Sequence, residues 1–160
     1  MKKYVIIISL MIGYFEKALT QDIIGLWKGQ CIAGGSTVQY EMTISRNGDT
    51  YTGFGLTSVD IDGKENIGIK ELQVILRKGK LMIEDADLIF NNFSKPGKRV
   101  IFSAAFPVQD DAVVTQLEGK FRTRSVDLRD KSYYAGEISL KKINRPENER
   151  LLTILNQMKL

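Results

Sequence analysis

The sequence predicts an all-β fold, an eight-stranded antiparallel up-and-down barrel followed by a C-terminal amphipathic helix. About eight runs alternate apolar and polar residues, their connectors are short and rich in Gly, Asn, Asp and Lys, and no helix-length segment separates any two runs. This alternation is typical of strands with one buried face, and short connectors favour antiparallel hairpins. Eight such strands close naturally into a small barrel. A two-sheet sandwich remains an alternative, although it usually needs a long Greek-key connection, and none is visible.

The predicted strands follow one another without a change of pattern. They cover Ile23–Ala33, Thr37–Ser45, Thr50–Ile61, Ile67–Arg77, Leu81–Phe93, Lys98–Val108, Ala112–Arg124 and Tyr133–Ile143. The second run divides most cleanly, since Val38, Tyr40, Met42 and Ile44 share one face while polar residues occupy the other. We therefore expect one dry and one wet face on each strand, which describes a meander wrapped on itself.

The chain begins with the three-part layout of a secretory signal peptide. Lys2 and Lys3 precede an apolar run of 12 residues, and a polar stretch leads to Gln21. That run is short of the roughly 20 residues that a membrane-spanning helix needs. We expect residues 1–20 to be removed, leaving a periplasmic or extracellular chain without a transmembrane segment. A buried or amphipathic N-terminal helix is the alternative.

Composition argues against several classes of function. The chain has 23 basic and 19 acidic side chains, and loss of residues 1–20 removes three and one of these, leaving a net charge of +2. A chain so near balance is not expected to bind nucleic acid. The absence of His excludes the usual Ser-His and Cys-His nucleophiles, and no phosphate-binding or dinucleotide motif is present. We expect no enzyme activity and no cofactor, and we expect the single Cys31 to be a small buried hydrophobe.

The one Trp lies between two glycines in the stretch IIGLWKG. Gly25-Leu26-Trp27 resembles the G-x-W signature of lipocalins, and the segments DIIGLWKGQ, EMTISRNGDTYTGFG, LEGKF and GEISLKKI are similar to a group of small secreted bacterial lipocalin-like barrel proteins. The resemblance implies that Trp27 plugs one end of the barrel, with a basic side chain of the last strand lying over it. Strand parity selects Lys142 for that role. The chain lacks the long first loop and the disulfide of typical lipocalins.

The resemblance also implies a small apolar or amphipathic ligand in the barrel. Its candidate contacts are the large residues predicted to point inward, namely Tyr40, Met42, Phe102, Phe106, Phe121 and Tyr134. Small inward residues are mixed with these large ones, and such a mixture either fills a barrel or leaves a pocket. The alternative is therefore a filled barrel that serves as a structural or protein-interaction module of the cell envelope.

Acidic residues gather on the fourth and fifth predicted strands. A turn centred on Gly79 would place Gln73 opposite Asp85 and Glu71 opposite Asp87. Directly opposed carboxylates repel each other, so we expect this acidic face to point to solvent. A hard-cation site built from Glu71, Asp85 and Asp87 is the alternative, because such ions take oxygen ligands, but we predict no metal.

The pattern changes after the eighth strand, which divides the mature chain into a barrel domain, residues 21–144, and a helix, residues 145–160. Pro146 suits the first turn of a helix, and acids follow it. One side then carries Leu151, Leu152, Ile154, Leu155 and Met158. A helix this short needs a surface to pack on. We expect it to dock on the barrel wall; covering a barrel end or binding a protein partner are the alternatives.

Overall fold

Eight strands and a C-terminal helix make up the computed structural model, which describes residues 23–93, 99–109, 113–127, 129–131, 133–144 and 149–159. These elements are β1 (Gly25–Ala33), β2 (Ser36–Asn47), β3 (Thr50–Ile61), β4 (Lys64–Arg77), β5 (Lys80–Asn91), β6 (Val100–Pro107), β7 (Gln116–Ser125), β8 (Ala135–Ile143) and α1 (Arg150–Met158). The strands close into one barrel in chain order, with all neighbours antiparallel. The predicted barrel is confirmed and the sandwich is excluded. The predicted signal peptide lies outside the described residues.

The turn between β4 and β5 sets a register that differs from the predicted one. Lys78 and Gly79 both have positive φ, at 50° and 67°, which is the geometry of a two-residue type I′ hairpin turn. With Lys80 already paired in β5, the strands slip by one residue relative to a turn centred on Gly79. Asp85 therefore lies opposite Leu72 instead of Gln73. A slip of one residue moves a side chain to the other face of the sheet, so Asp85 points into the barrel.

Of the six candidate contact residues predicted to point inward, Tyr134 alone lies outside the barrel interior. It precedes β8, and its side chain is 68% exposed. Its backbone still pairs with Thr123, whose N–H donates to the Tyr134 carbonyl at 2.7 Å. The alternation of β8 continues to this point, but Tyr134 comes before the first residue of β8 and is exposed to solvent.

One cluster of buried apolar residues lies inside the barrel. Its buried members are Ile23, Trp27, Cys31, Tyr40, Met42, Ile44, Leu72, Val74, Leu81, Ile83, Ala104, Phe106, Leu117, Phe121, Ile138 and Leu140. Seven of the eight strands contribute buried members, and β3 contributes the partly buried Tyr51, because inward residues alternate along each strand. The barrel interior is thus the main hydrophobic core.

Helix α1 forms a second core on the outer wall. Leu151 and Leu155 pack there against Leu26, Leu56 and Ile69, which point outward from β1, β3 and β4. The predicted docking on the barrel wall is confirmed, although the predicted first turn at Pro146 lies outside the described residues. The apolar stripe of the helix is consequently occupied by its own barrel, and a partner protein reaches it only if the helix undocks. None of the described helical residues belongs to a helix that is long and apolar enough to cross a membrane.

Polar contacts fix the helix in place. The buried carboxylate of Glu41 accepts a hydrogen bond from the Leu151 backbone N–H at 3.2 Å. Lys28 bridges Glu41 and Glu149, at 3.3 and 3.2 Å. Its pKa is raised, chiefly by the hydrogen bond to Glu149. These contacts satisfy a buried charge that would otherwise destabilise the interface.

Candidate functional site

The two ends of the barrel are built differently. We call the end that holds Trp27 the closed end, and the opposite end, where β1 turns into β2 and β3 into β4, the mouth. At the closed end the Trp27 side chain is fully buried, and its Nε1 donates to the Ile23 carbonyl at 3.0 Å. The Nζ of Lys142 lies 5.4 Å from the centroid of the indole ring, within range of a cation–π interaction. Trp27 and Lys142 therefore pack together at this end.

The glycines that flank Trp27 allow this close packing. Gly25 has a φ of 134°, a conformation that residues with a side chain rarely adopt. At Gly29, an added Cβ would lie only 1.9 Å from the Ser139 carbonyl oxygen on β8. The first glycine permits the sharp entry into β1, and the second permits the close approach of β8.

Three aromatic rings cross the barrel between the closed end and the mouth. The rings of Tyr40 and Phe102 stack with centroids 5.1 Å apart, and those of Phe102 and Phe121 with centroids 5.3 Å apart. Since β2 and β6 lie on opposite sides of the barrel, this aromatic layer (Tyr40, Phe102 and Phe121) spans the interior. On the mouth side of the layer Val38 and Thr57 are only half-buried, whereas Met42 on the closed side is fully buried.

The Tyr40 hydroxyl is buried without a hydrogen-bond partner among the described residues. The residue is 2% exposed, and the space for the hydroxyl is provided by Gly55, where an added Cβ would lie 2.6 Å from the oxygen. Burial raises the pKa of this phenol well above its usual value, and the charge of Asp85 adds to the effect. The hydroxyl is therefore a neutral group that can both donate and accept a hydrogen bond.

An ion pair lies inside the barrel next to the aromatic layer. The Nζ of Lys70 donates to Oδ2 of Asp85, and the Lys70 side chain is 25% exposed while the Asp85 carboxylate is buried. Burial raises the pKa of the Asp85 carboxyl, and this effect outweighs the opposing pull of Lys70 and of the Phe102 N–H. The pair places one positive and one negative charge in the interior.

The same two side chains also tie β4 and β5 to β6. The backbone ladder between these strands ends at Glu84. Beyond that point Lys70 donates to the Val100 carbonyl at 2.8 Å, and the Phe102 N–H donates to Asp85 Oδ2 at 2.8 Å. Side-chain bonds thus replace backbone bonds where the two strands diverge toward the mouth.

The prediction of a solvent-facing acidic group is wrong for Asp85, because the register turns it inward. Glu71 pairs with Phe54 on the outer face, and Asp87 is exposed. The cation site considered for Glu71, Asp85 and Asp87 has no support, since the described residues contain no group of three or more Asp, Glu, Cys or His side chains that could hold a metal ion.

Cys31 lies in the same interior and is buried. Burial raises the pKa of its thiol to about 12, which keeps it protonated and unreactive at neutral pH. It behaves as the small hydrophobe that the sequence predicts.

The predicted contact residues separate into three places. Tyr40, Phe102 and Phe121 form the aromatic layer, Met42 and Phe106 are fully buried on its closed side, and Tyr134 is outside. Sequence reasoning missed Lys70 and Asp85 as interior groups. Lys70 shares the face of Leu72 and Val74, so counting along β4 could have found it. Asp85 is readable only once the register of β5 against β4 is known.

A second candidate site is a groove of about 800 Å³ on the outer wall, on the side opposite α1. Its lining includes Ile75, Met82 and Ala105, together with Lys120 and Glu137. All five side chains point outward from β4, β5, β6, β7 and β8. The lining also includes Ile83, Ala104 and Phe121, which belong to the interior cluster, so the groove reaches the barrel wall itself.

No family model, curated protein or solved structure matches this chain. A function for this protein therefore has to be inferred from the geometry of the interior and of the outer groove.

Proposed function

We propose that the protein is a non-enzymatic binding protein that carries one small amphipathic molecule in the mouth half of its barrel. The observation that supports this most strongly is the Tyr40 hydroxyl, which is buried and has no hydrogen-bond partner in the part of the chain that the structure describes. Nearly all buried polar groups in proteins are hydrogen-bonded, and an unpaired one costs about 1–3 kcal/mol. A ligand that forms a hydrogen bond with the Tyr40 hydroxyl would remove this cost. The unpaired hydroxyl therefore supports a ligand-binding role for the interior.

The surroundings of the hydroxyl suit the apolar part of such a molecule. Phe102 is half-buried and offers its ring, and Val38 and Thr57 line the mouth with accessible surface. The hydroxyl itself has no accessible surface, so a ligand reaches it when the neighbouring Phe102 ring turns aside. Apolar walls with a few placed polar groups are the usual composition of small-molecule sites.

We also propose that the chain is a divergent lipocalin-like protein that is secreted to the periplasm or the exterior. The support is the closed antiparallel barrel with a C-terminal helix, the G-x-W motif at Trp27, and the position of Lys142 over the indole. Secretion rests on the sequence of residues 1–20.

Mass spectrometry of the chain exported into a bacterial periplasm and purified without detergent tests this function. We expect the native mass to exceed the denatured mass by one small molecule. The denatured mass should equal that of a chain that begins near Gln21. The Tyr40→Phe variant should retain less of that molecule. Tyr133→Phe, a matched change at an exposed tyrosine, should retain as much as the unchanged chain. A native mass equal to the denatured mass, together with no binding of added amphipathic molecules, would overturn the proposal.

The outer groove supports a second candidate function, a surface module that binds another protein. Ile75 is 52% exposed, and Lys120 and Glu137 place both signs of charge beside it. Crosslinking from Lys120 in whole envelopes tests this candidate. A specific adduct that Ile75→Asp abolishes would favour it over the carrier.

A further inference from the structure

The described polar groups around the aromatic layer carry no net charge. Lys70 and Asp85 neutralise each other, and the phenol of Tyr40 and the thiol of Cys31 are both neutral. Both charged groups are already engaged, since Lys70 also donates to Val100 and Asp85 also accepts from Phe102. This balance bears on which molecules the interior accepts.

A charged ligand would disturb that balance. Moving an ion out of water is costly unless an opposite charge receives it. A carboxylate placed near Lys70 would also face Asp85, and an ammonium placed near Asp85 would also face Lys70. A neutral group that hydrogen-bonds to the Tyr40 hydroxyl avoids both conflicts.

We infer that the ligand is an uncharged molecule with an apolar body and one hydrogen-bonding group, such as an alcohol or an amide, and not a carboxylate or an amine. This inference rests on the proposed function and names the ligand class of the same site. The hydrogen-bonding group meets the Tyr40 hydroxyl, and the apolar body lies along the Phe102 ring toward the mouth.

The ion pair also predicts how selectivity changes when one charge is removed. Asp85→Asn leaves Lys70 without its counter-charge, so the interior becomes positive and should favour a carboxylate. Lys70→Gln leaves Asp85 unbalanced and should favour an amine. Glu84→Gln is the matched control, because Glu84 is the neighbouring acid on β5 but points outward, where it pairs with Arg124.

The test compares decanol, decanamide, decanoate and decylamine, which share one chain length, by isothermal titration calorimetry of the exported chain at neutral pH below their micelle-forming concentrations. We expect decanol and decanamide to bind at least about tenfold more tightly than either charged probe, a difference of about 1.4 kcal/mol. In Asp85→Asn the preference should move toward decanoate by about tenfold or more, and in Lys70→Gln toward decylamine. Glu84→Gln should keep the ranking of the unchanged chain.

The outcomes separate the inference from the proposed function. Tighter binding of decanoate or decylamine to the unchanged chain would overturn the inference and leave the carrier function standing. Equal shifts in Glu84→Gln and Asp85→Asn would also overturn it, because a surface charge would then act as strongly as the interior one. Failure of all four probes, with no copurified molecule, would refute the carrier function itself. If either charge variant does not fold, the ranking in the unchanged chain and the other variant decide the matter.

Discussion

The two halves of the barrel share the same alternation of inward and outward residues but bury different kinds of side chain. On the inner face of β2, Met42 and Ile44 are apolar and buried toward the closed end, where Trp27 completes its own hydrogen bond. Toward the mouth, Tyr40 is equally buried, but no described residue bonds to its hydroxyl, and Lys70 and Asp85 bring charges into the interior. We therefore expect the closed end to contribute more of the stability, while the mouth half keeps polar groups that cost stability and can serve binding.

The largest expected effect is the loss of Trp27. Trp27→Ala should lower the free energy of unfolding by about 3–5 kcal/mol, because it leaves a cavity at the closed end. Urea denaturation measures this loss. Phe102→Ala, which removes a half-buried ring in the mouth half, should cost clearly less. Equal losses would mean that both halves are packed alike, which would contradict a larger contribution of the closed end to stability.

The next effect concerns the coupling between Lys70 and Asp85. A double-mutant cycle with Lys70→Met and Asp85→Asn should give a coupling energy of about 1–3 kcal/mol, since each single change leaves a charge or a donor inside the barrel without its partner. Chemical denaturation of the four proteins supplies the cycle. A coupling near zero would show that the pair is solvated and does not belong to the interior.

A smaller effect is the pH dependence that Asp85 contributes. Its pKa is raised above the ordinary value of 3.8, so the folded protein holds this proton more tightly than the unfolded chain does. The associated stability is fully present below about pH 3.8 and is lost as the pH rises through the raised folded pKa. The unchanged chain should therefore lose stability relative to Asp85→Asn as the pH rises through that window. The opposite slope in denaturation series would show that Lys70 outweighs burial.

The fold was largely predictable because alternation reports burial directly. The inward positions of Tyr40, Met42 and Phe106 follow from counting residues along one strand, and Trp27 with Lys142 follows from a motif and strand parity. These features depend on the alternation of residues within one strand, which can be counted directly in the sequence.

The site was less predictable because it depends on relations between strands. Asp85 points inward because the Lys78–Gly79 turn is one residue tighter than assumed, and a one-residue slip exchanges the two faces. Tyr134 points outward because alternation does not mark where the barrel wall ends. The missing partner of the Tyr40 hydroxyl depends on residues from several strands at once, and no single stretch of sequence encodes it.

The most direct test of the central claim is the stability of ligand-free Tyr40→Phe. Refolding from denaturant removes bound molecules, and urea titration then compares this variant with the unchanged chain and with Tyr133→Phe. The account predicts that Tyr40→Phe is at least as stable as the unchanged chain, and more stable by up to about 3 kcal/mol, because the variant removes an unpaired buried hydroxyl. A loss of about 1 kcal/mol or more, not seen in Tyr133→Phe, would show that the protein already satisfies this hydroxyl and would contradict a binding site built around it.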